Sequence, residues 1–193
     1  MLVFLLLHGA TGTAVGAPLT LGVHAADHSV APPFGNLLPT DPIRPSVTLE
    51  AELHALEGAA LSLRPAARLS GHVHGHAGSG WRLTAGLTGR VTSAVGLFAE
   101  TGLEVGLIHT LWGSSLAFGD GGYTASADPG RLGGVGGVVL GTGLDLDRLD
   151  GPPLALVVSY RWFVHSGWMP VLDVVPKAEL GVGMRWTLSG RAS

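Results

Sequence analysis

His72, His74 and His76 form an H-x-H-x-H run, a spacing that places three imidazoles on one face of a strand. Neutral imidazole binds zinc, copper or nickel, and same-face histidines two apart can chelate an ion once a further ligand joins. The sequence supplies no such ligand beside them, so the competing reading is a set of solvated polar residues at a strand end. His165 and Ser166 have the residue types of a base and a nucleophile. Neighbours on a strand point to opposite faces, so these two can pair only if the strand has already ended, and no matching acid is in view. The larger set is ionic: Glu50, Glu52, Glu100, Glu104, Asp145 and Glu179 against Arg64, Arg68, Arg82, Arg90, Arg161, Lys177 and Arg185. All fall on one strand parity. Near-equal opposite charges on one buried face imply mutually paired ions, because a lone buried charge is costly. No motif asks for a cofactor.

Strands must carry these residues. From Leu97 to Ile108 one parity holds Leu97, Ala99, Thr101, Leu103, Val105 and Leu107, while the other holds Phe98, Glu100, Gly102, Glu104, Gly106 and Ile108. The rise from Leu97 to Leu107 is about 33 Å, and a strand tilted by about 40° projects it onto about 25 Å, the height of the apolar band of an outer-membrane barrel. The same alternation recurs over Val47 to Ala55, Leu63 to Val73, Trp81 to Val91, Val138 to Leu146, Leu154 to Trp162 and Leu172 to Leu188, with a first strand near Leu19 to Val23. The count is eight. The predicted fold is an all-β, eight-stranded antiparallel up-and-down transmembrane barrel, with charges toward its axis and aliphatics toward lipid.

Composition agrees with a membrane setting. Charged residues make up 13% of the chain and the mean hydropathy is +0.40, whereas soluble domains carry about 25% charge. The net charge of −3 follows from paired ions and gives no basic excess for nucleic acid. No apolar run reaches the length of a spanning helix, which leaves a closed barrel as the permitted way across. There is no cysteine, hence no disulfide framework. Residues 1–17, an apolar run followed by small residues, read as an export signal, with a later cut after Ala25 as an alternative that would require a first strand from Val30 to Arg44. Residues 18–188 form the barrel and 189–193 a tail.

The connections fall into two kinds. The turns near Glu57 to Ala60, Thr92 to Val95 and Arg148 to Pro153 are short and belong on the periplasmic side. The longer connections, Ala26 to Pro45 and Gly113 to Gly134, lie together on the other side, with shorter ones at Ala77 to Gly80 and Ser166 to Pro170. Trp81, Trp112 and Trp162 then sit near the outer interface and Trp186 near the inner one, as in an aromatic girdle. On a soluble barrel they would be core.

The segment Glu179-Leu180-Gly181-Val182-Gly183-Met184-Arg185-Trp186 resembles the C-terminal strand by which the outer-membrane assembly machinery recognises bacterial barrels. It departs from the common form in that Thr187 to Ser193 follow the aromatic residue. Residues Gly102 to Thr110 and Ser159 to Phe163 resemble segments of small Gram-negative barrels of the OmpA-like or porin families. This resemblance implies a bacterial outer-membrane location, contact with membrane lipid and lipopolysaccharide, and handling by the assembly machinery; it defines no activity. Val164-His165-Ser166-Gly167 is faintly similar to the His and Ser pattern of lipid A deacylases, but the family spacing is absent.

Eight strands leave an interior that side chains can fill. The inward glycines, Gly86, Gly102, Gly106, Gly137, Gly141, Gly143, Gly181 and Gly183, have two readings: relief for strand curvature and close packing, or room for water pockets and a narrow path. The expected role is non-enzymatic, structural or surface-interacting through the long loops. The alternatives are a narrow solute channel, a lipid A modifying enzyme, and a lipocalin-like carrier in which the two parities are inverted.

Overall fold

A computed structural model describes residues 18–30, 44–58, 60–73, 79–111, 115–119, 122–126, 130–166 and 174–188. The expected export segment, the tail, Trp112, His74 and His76 lie outside them. In chain order the elements are β1 (Leu19–Val30), β2 (Pro45–Leu53), β3 (Leu56–Glu57), β4 (Leu61–His72), β5 (Ser79–Thr92), β6 (Leu97–Leu111), β7 (Ser115–Gly119), β8 (Gly122–Ser126), β9 (Arg131–Asp145), a 3-10 turn (Leu146–Leu149), β10 (Leu154–Ser166) and β11 (Val174–Leu188).

Each strand pairs antiparallel with its neighbours in the order β2, β1, β11, β10, β9, β6, β5, β4, β3, and pairing of β2 with β4 closes the ring. Because β2 and β3 are two parts of one stave, the barrel has eight staves. Closure removes the free edges that an open sheet would expose. The hairpin of β7 and β8 is a separate two-stranded sheet. Among the described residues no helix is long and apolar enough to cross a membrane.

The alternation read from the sequence appears as burial: along β6 every second residue from Leu97 to Leu107 is exposed, and Phe98, Glu100, Gly102 and Glu104 between them are buried. Leu103 and Val105 are each 68% exposed, whereas Arg68, Glu104 and Arg185 are at most 2% exposed. The charged face looks inward. The inverted, carrier-like assignment is therefore excluded.

Several boundaries differ from expectation. β1 runs on to Val30, well past Val23, and pairs with β11 along its whole length, so a cut after Ala25 would remove half a stave. The connection expected over Gly113 to Gly134 contains the β7–β8 hairpin, and its last residues already belong to β9. Strand alternation stops at Asp145 rather than continuing through Leu146 and Asp147; the Asp145 side chain accepts from the Asp147 amide and starts the 3-10 turn, which Asp150 ends at φ 57°.

The second stave breaks at His54 and Ala55, where the alternation was expected to continue to Ala55. Register passes from Glu52 opposite Ala66 to Leu56 opposite Leu63, so the residues between are three on one strand and two on the other. Pro65 is one of those two. A bulge leaves a ladder position unpaired, which is where a residue without an amide hydrogen is tolerated.

The turn between β5 and β6 depends on Gly96. Its φ is +78°, and a Cβ there would stand 2.5 Å from the Asp145 carbonyl oxygen, which only a glycine permits.

Candidate functional site

The lumen holds the charged residues that the sequence singled out, Asp145 excepted, and register decides which of them meet. Glu50 on β2 is the hub. It accepts from Arg68 Nε and from Arg185 Nε at 2.5 Å each, one on each carboxylate oxygen, and His24 Nε2 stands 3.6 Å away. Arg185 also forks onto Glu100, with Nη1 and Nη2 donating at 2.7 and 2.8 Å, a bidentate geometry that suits the planar guanidinium. Arg90 donates to Glu100 at 2.9 Å and to Glu52 at 3.3 Å. Glu104 accepts from Thr84 at 3.2 Å and from Arg68 at 3.5 Å. Toward the long-connection end Arg82 donates to Glu179 at 2.6 Å, and Ser46 donates to the same carboxylate at 3.3 Å. Toward the short-turn end Arg64 pairs with Glu57 at 3.0 Å. The network is a chain of shared carboxylates rather than a set of separate pairs, so removing Glu50, Glu52, Glu100 or Glu179 would take a partner from more than one cation.

Two small apolar clusters flank this network. Phe98, Ala155 and Val157 cluster toward the short turns, and Ile108, Val135 and Phe163 cluster toward the long connections. Each cluster is tied to the ions by a guanidinium over an aromatic ring, with Arg90 4.4 Å from Phe98 and Arg82 4.1 Å from Phe163.

A Cβ on any of the inward glycines would meet neighbouring protein atoms rather than open space. A Cβ on Gly137 would meet Phe163, one on Gly141 would meet the Glu100 carboxylate, one on Gly143 the Phe98 ring, and one on Gly183 the His24 imidazole. In each case the two residues are register partners on adjacent staves. The glycine lets its large partner lie down across the sheet, the packing reading of these positions.

Lys177 is fully buried on the inward parity, in register with Phe163. Asp145, expected among the lumen ions, is half-buried at the turn end. His72 is buried at the far end of β4. His165 faces the lumen at 1% exposure, while Ser166 is exposed and accepts from the Gly134 amide at 2.9 Å. β10 continues through both, so the strand geometry keeps them apart. Trp81 and Trp186 are outward and about half exposed, and Trp81 stacks on His109 at 5.6 Å between centroids. Trp162 is half-buried on the same outward face.

Sequence reading passed over His24, Phe163, Val135, Val139 and Val157 as lumen residues. Parity would have found all of them: Phe163 is two beyond Arg161, and Val157 two before Ser159. Their apolar type concealed them in a search for charges.

Antiparallel closure over eight staves, ions inside and aliphatics outside make this the fold of small bacterial outer-membrane β-barrels. Among solved structures the chain is similar to Neisserial surface protein A (NspA), at 14% identity and a TM-score of 0.55, over 90% of this chain and 98% of that one. It also matches the Yersinia pestis outer membrane protein Ail in a phospholipid bilayer nanodisc, at 12% identity and a TM-score of 0.42, over 89% of this chain and 100% of that one. No protein-family model matches the chain, and no curated protein does.

Proposed function

We propose that the chain is a non-conducting, non-enzymatic barrel of the bacterial outer membrane. Its lumen is a structural plug, and its role is contact with other molecules through the long connections expected over Ala26 to Pro45 and Gly113 to Gly134. The observation that carries this reading is the filled bore: Arg68, Arg82, Arg161 and Arg185 are at most 3% exposed and are held by lumen carboxylates, with the Phe98 and Phe163 rings packed against Arg90 and Arg82. A path for solute would have to break this network. The exposed leucines and valines of the exterior support burial in lipid, since such a surface has no stable place in water. Lipopolysaccharide and phospholipid are then its surroundings, and the Glu179 to Trp186 strand is the segment we assign to recognition by the assembly machinery.

The deciding experiment is planar-bilayer recording of the purified, refolded protein. Silence is expected. Steady single-channel steps would overturn the plug and favour the narrow channel. Fractionation tests the location, because a barrel of this kind stays with the outer envelope and migrates differently on a mild gel before and after heating.

A further inference from the structure

We propose that the outward face of β6, β9, β10, β11 and β1 holds one phospholipid of the leaflet at the short-turn end, with a zwitterionic, amine-bearing headgroup. That face is not a uniform apolar band. Leu97, Leu144, Leu156, Met184 and Val23 are successive register partners and form a row of larger side chains across five staves. Two residues further into each strand, Thr142, Val158, Val182 and Ala25 form a row of smaller ones, and the next row, Leu140, Tyr160 and Leu180, is large again. The small row is the floor of an apolar groove of about 690 Å³.

The groove is slanted. Leu97 opens β6 and Leu144 is next to the last residue of β9, whereas Met184 and Val23 lie a full turn of the pleat deeper, well inside β11 and β1. The floor therefore climbs from the rim at β9 toward the middle of the barrel at β1. From Thr142 to Ala25 it crosses three strand spacings, about 14 Å, close to half of the roughly 30 Å hydrocarbon core, so it matches one acyl chain of one leaflet. The rim end carries charge. A Cβ on Gly96, the residue before Leu97, would stand 3.2 Å from Arg148 Cβ, which places Arg148 beside the entrance. It is the one exposed basic side chain at the short-turn end among the described residues, and Asp145, Asp147 and Asp150 share its turn. A guanidinium takes a phosphate, but the carboxylates around it repel a lipid of net negative charge; a headgroup that adds an ammonium answers both. A second copy of the chain fits less well. Turned about the membrane normal, it would present its rows at the opposite slant, and they would cross the groove rather than fill it. The site lies on the lipid-facing surface and does not depend on the surface contacts proposed above.

The test uses the full chain refolded in detergent micelles with equal amounts of phosphatidylethanolamine and phosphatidylglycerol of the same acyl chains, and native mass spectrometry counts what stays bound once the micelle is stripped. We expect one phosphatidylethanolamine per barrel. Val158→Trp, which fills the floor, should abolish its retention, whereas Leu69→Trp, outward on β4 across the barrel, should not. Arg148→Gln should lower retention about tenfold through loss of a charge-assisted contact. Barrels stripped bare, equal retention of the two lipids, or Val158→Trp retaining lipid as the unaltered protein does would each overturn the proposal, and so would a lipid-free dimer. Heat-modifiable migration shows which variants fold. Should Val158→Trp not fold, phosphatidylethanolamine with a photoreactive acyl chain decides the matter on the unaltered protein: crosslinks confined to β6, β9, β10, β11 and β1 support the site, and crosslinks spread evenly around the barrel overturn it.

Discussion

Phe163 occupies the space that a side chain on Gly137 would need: its Cβ lies 2.5 Å from where a Cβ on Gly137 would stand, and the two residues are register partners on β10 and β9. The same relation joins Phe98 to Gly143 and Glu100 to Gly141. Bulk on one stave is matched by its absence on the next, and this is how the eight staves enclose the seven buried Arg and Lys side chains of the described residues together with the Phe98 and Phe163 rings.

Gly137→Val should therefore destabilise the barrel by about 1–3 kcal/mol through overpacking. Gly89→Ala, on the outward face with nothing nearer than 3.9 Å, should be close to neutral. Urea unfolding in detergent micelles, followed by the loss of heat-modifiable migration, measures both.

Glu50 and Glu57 should differ sharply although both pair with arginine. Glu50→Gln takes the charge from a fully buried hub shared by Arg68 and Arg185, and breaking a buried pair costs about 3–5 kcal/mol. Glu57 has a side chain 40% exposed to solvent, and its pair with Arg64 is screened, so Glu57→Gln should cost about 0–1 kcal/mol. The same unfolding measurement compares them, and equal losses would mean that the hub is not special.

Ser166 should not react as an activated nucleophile. Its hydroxyl accepts from the Gly134 amide while His165 turns into the lumen, so the neighbouring imidazole does not stand behind it. A fluorophosphonate probe should leave the refolded protein unlabelled. Labelling that disappears in Ser166→Ala would reinstate the hydrolase reading.

Trp81 and Trp186 lie on the outward face toward opposite ends of the barrel, at 42% and 50% exposure. Variants retaining one or the other as the sole tryptophan, placed in bilayers of brominated lipid, should both be quenched most strongly by bromine near the headgroups. Strongest quenching by bromine at the chain ends would place them at the bilayer centre and remove the girdle.

Much of the architecture was legible in the residues because strand alternation and lipid impose the same rule on every stave. Glu100 and Glu104 share a parity with Gly102, and Leu103 and Val105 share the other; a sheet sends these sets to opposite sides whatever the rest of the chain does. The break at His54 and Ala55 was not legible, since a bulge depends on what the partner strand offers, here Pro65. The length of β1 was not legible either. It is fixed by pairing with β2 and β11, and Ala25, Ala26 and Asp27 carry little alternation of their own.

The sequence by itself determined that there are strands, which face of each is charged, and that opposite charges balance, because side-chain period and type are local properties. Tertiary structure alone decided that Arg185 bridges Glu50 and Glu100, that Phe163 lies over Gly137, and that Arg82 and Arg161 converge on Glu179. These meetings depend on register, on stagger between staves and on closure of the ring, which bring Arg185 to Glu50 and Glu100, and Arg82 to Glu179, across 85 to 135 positions of chain.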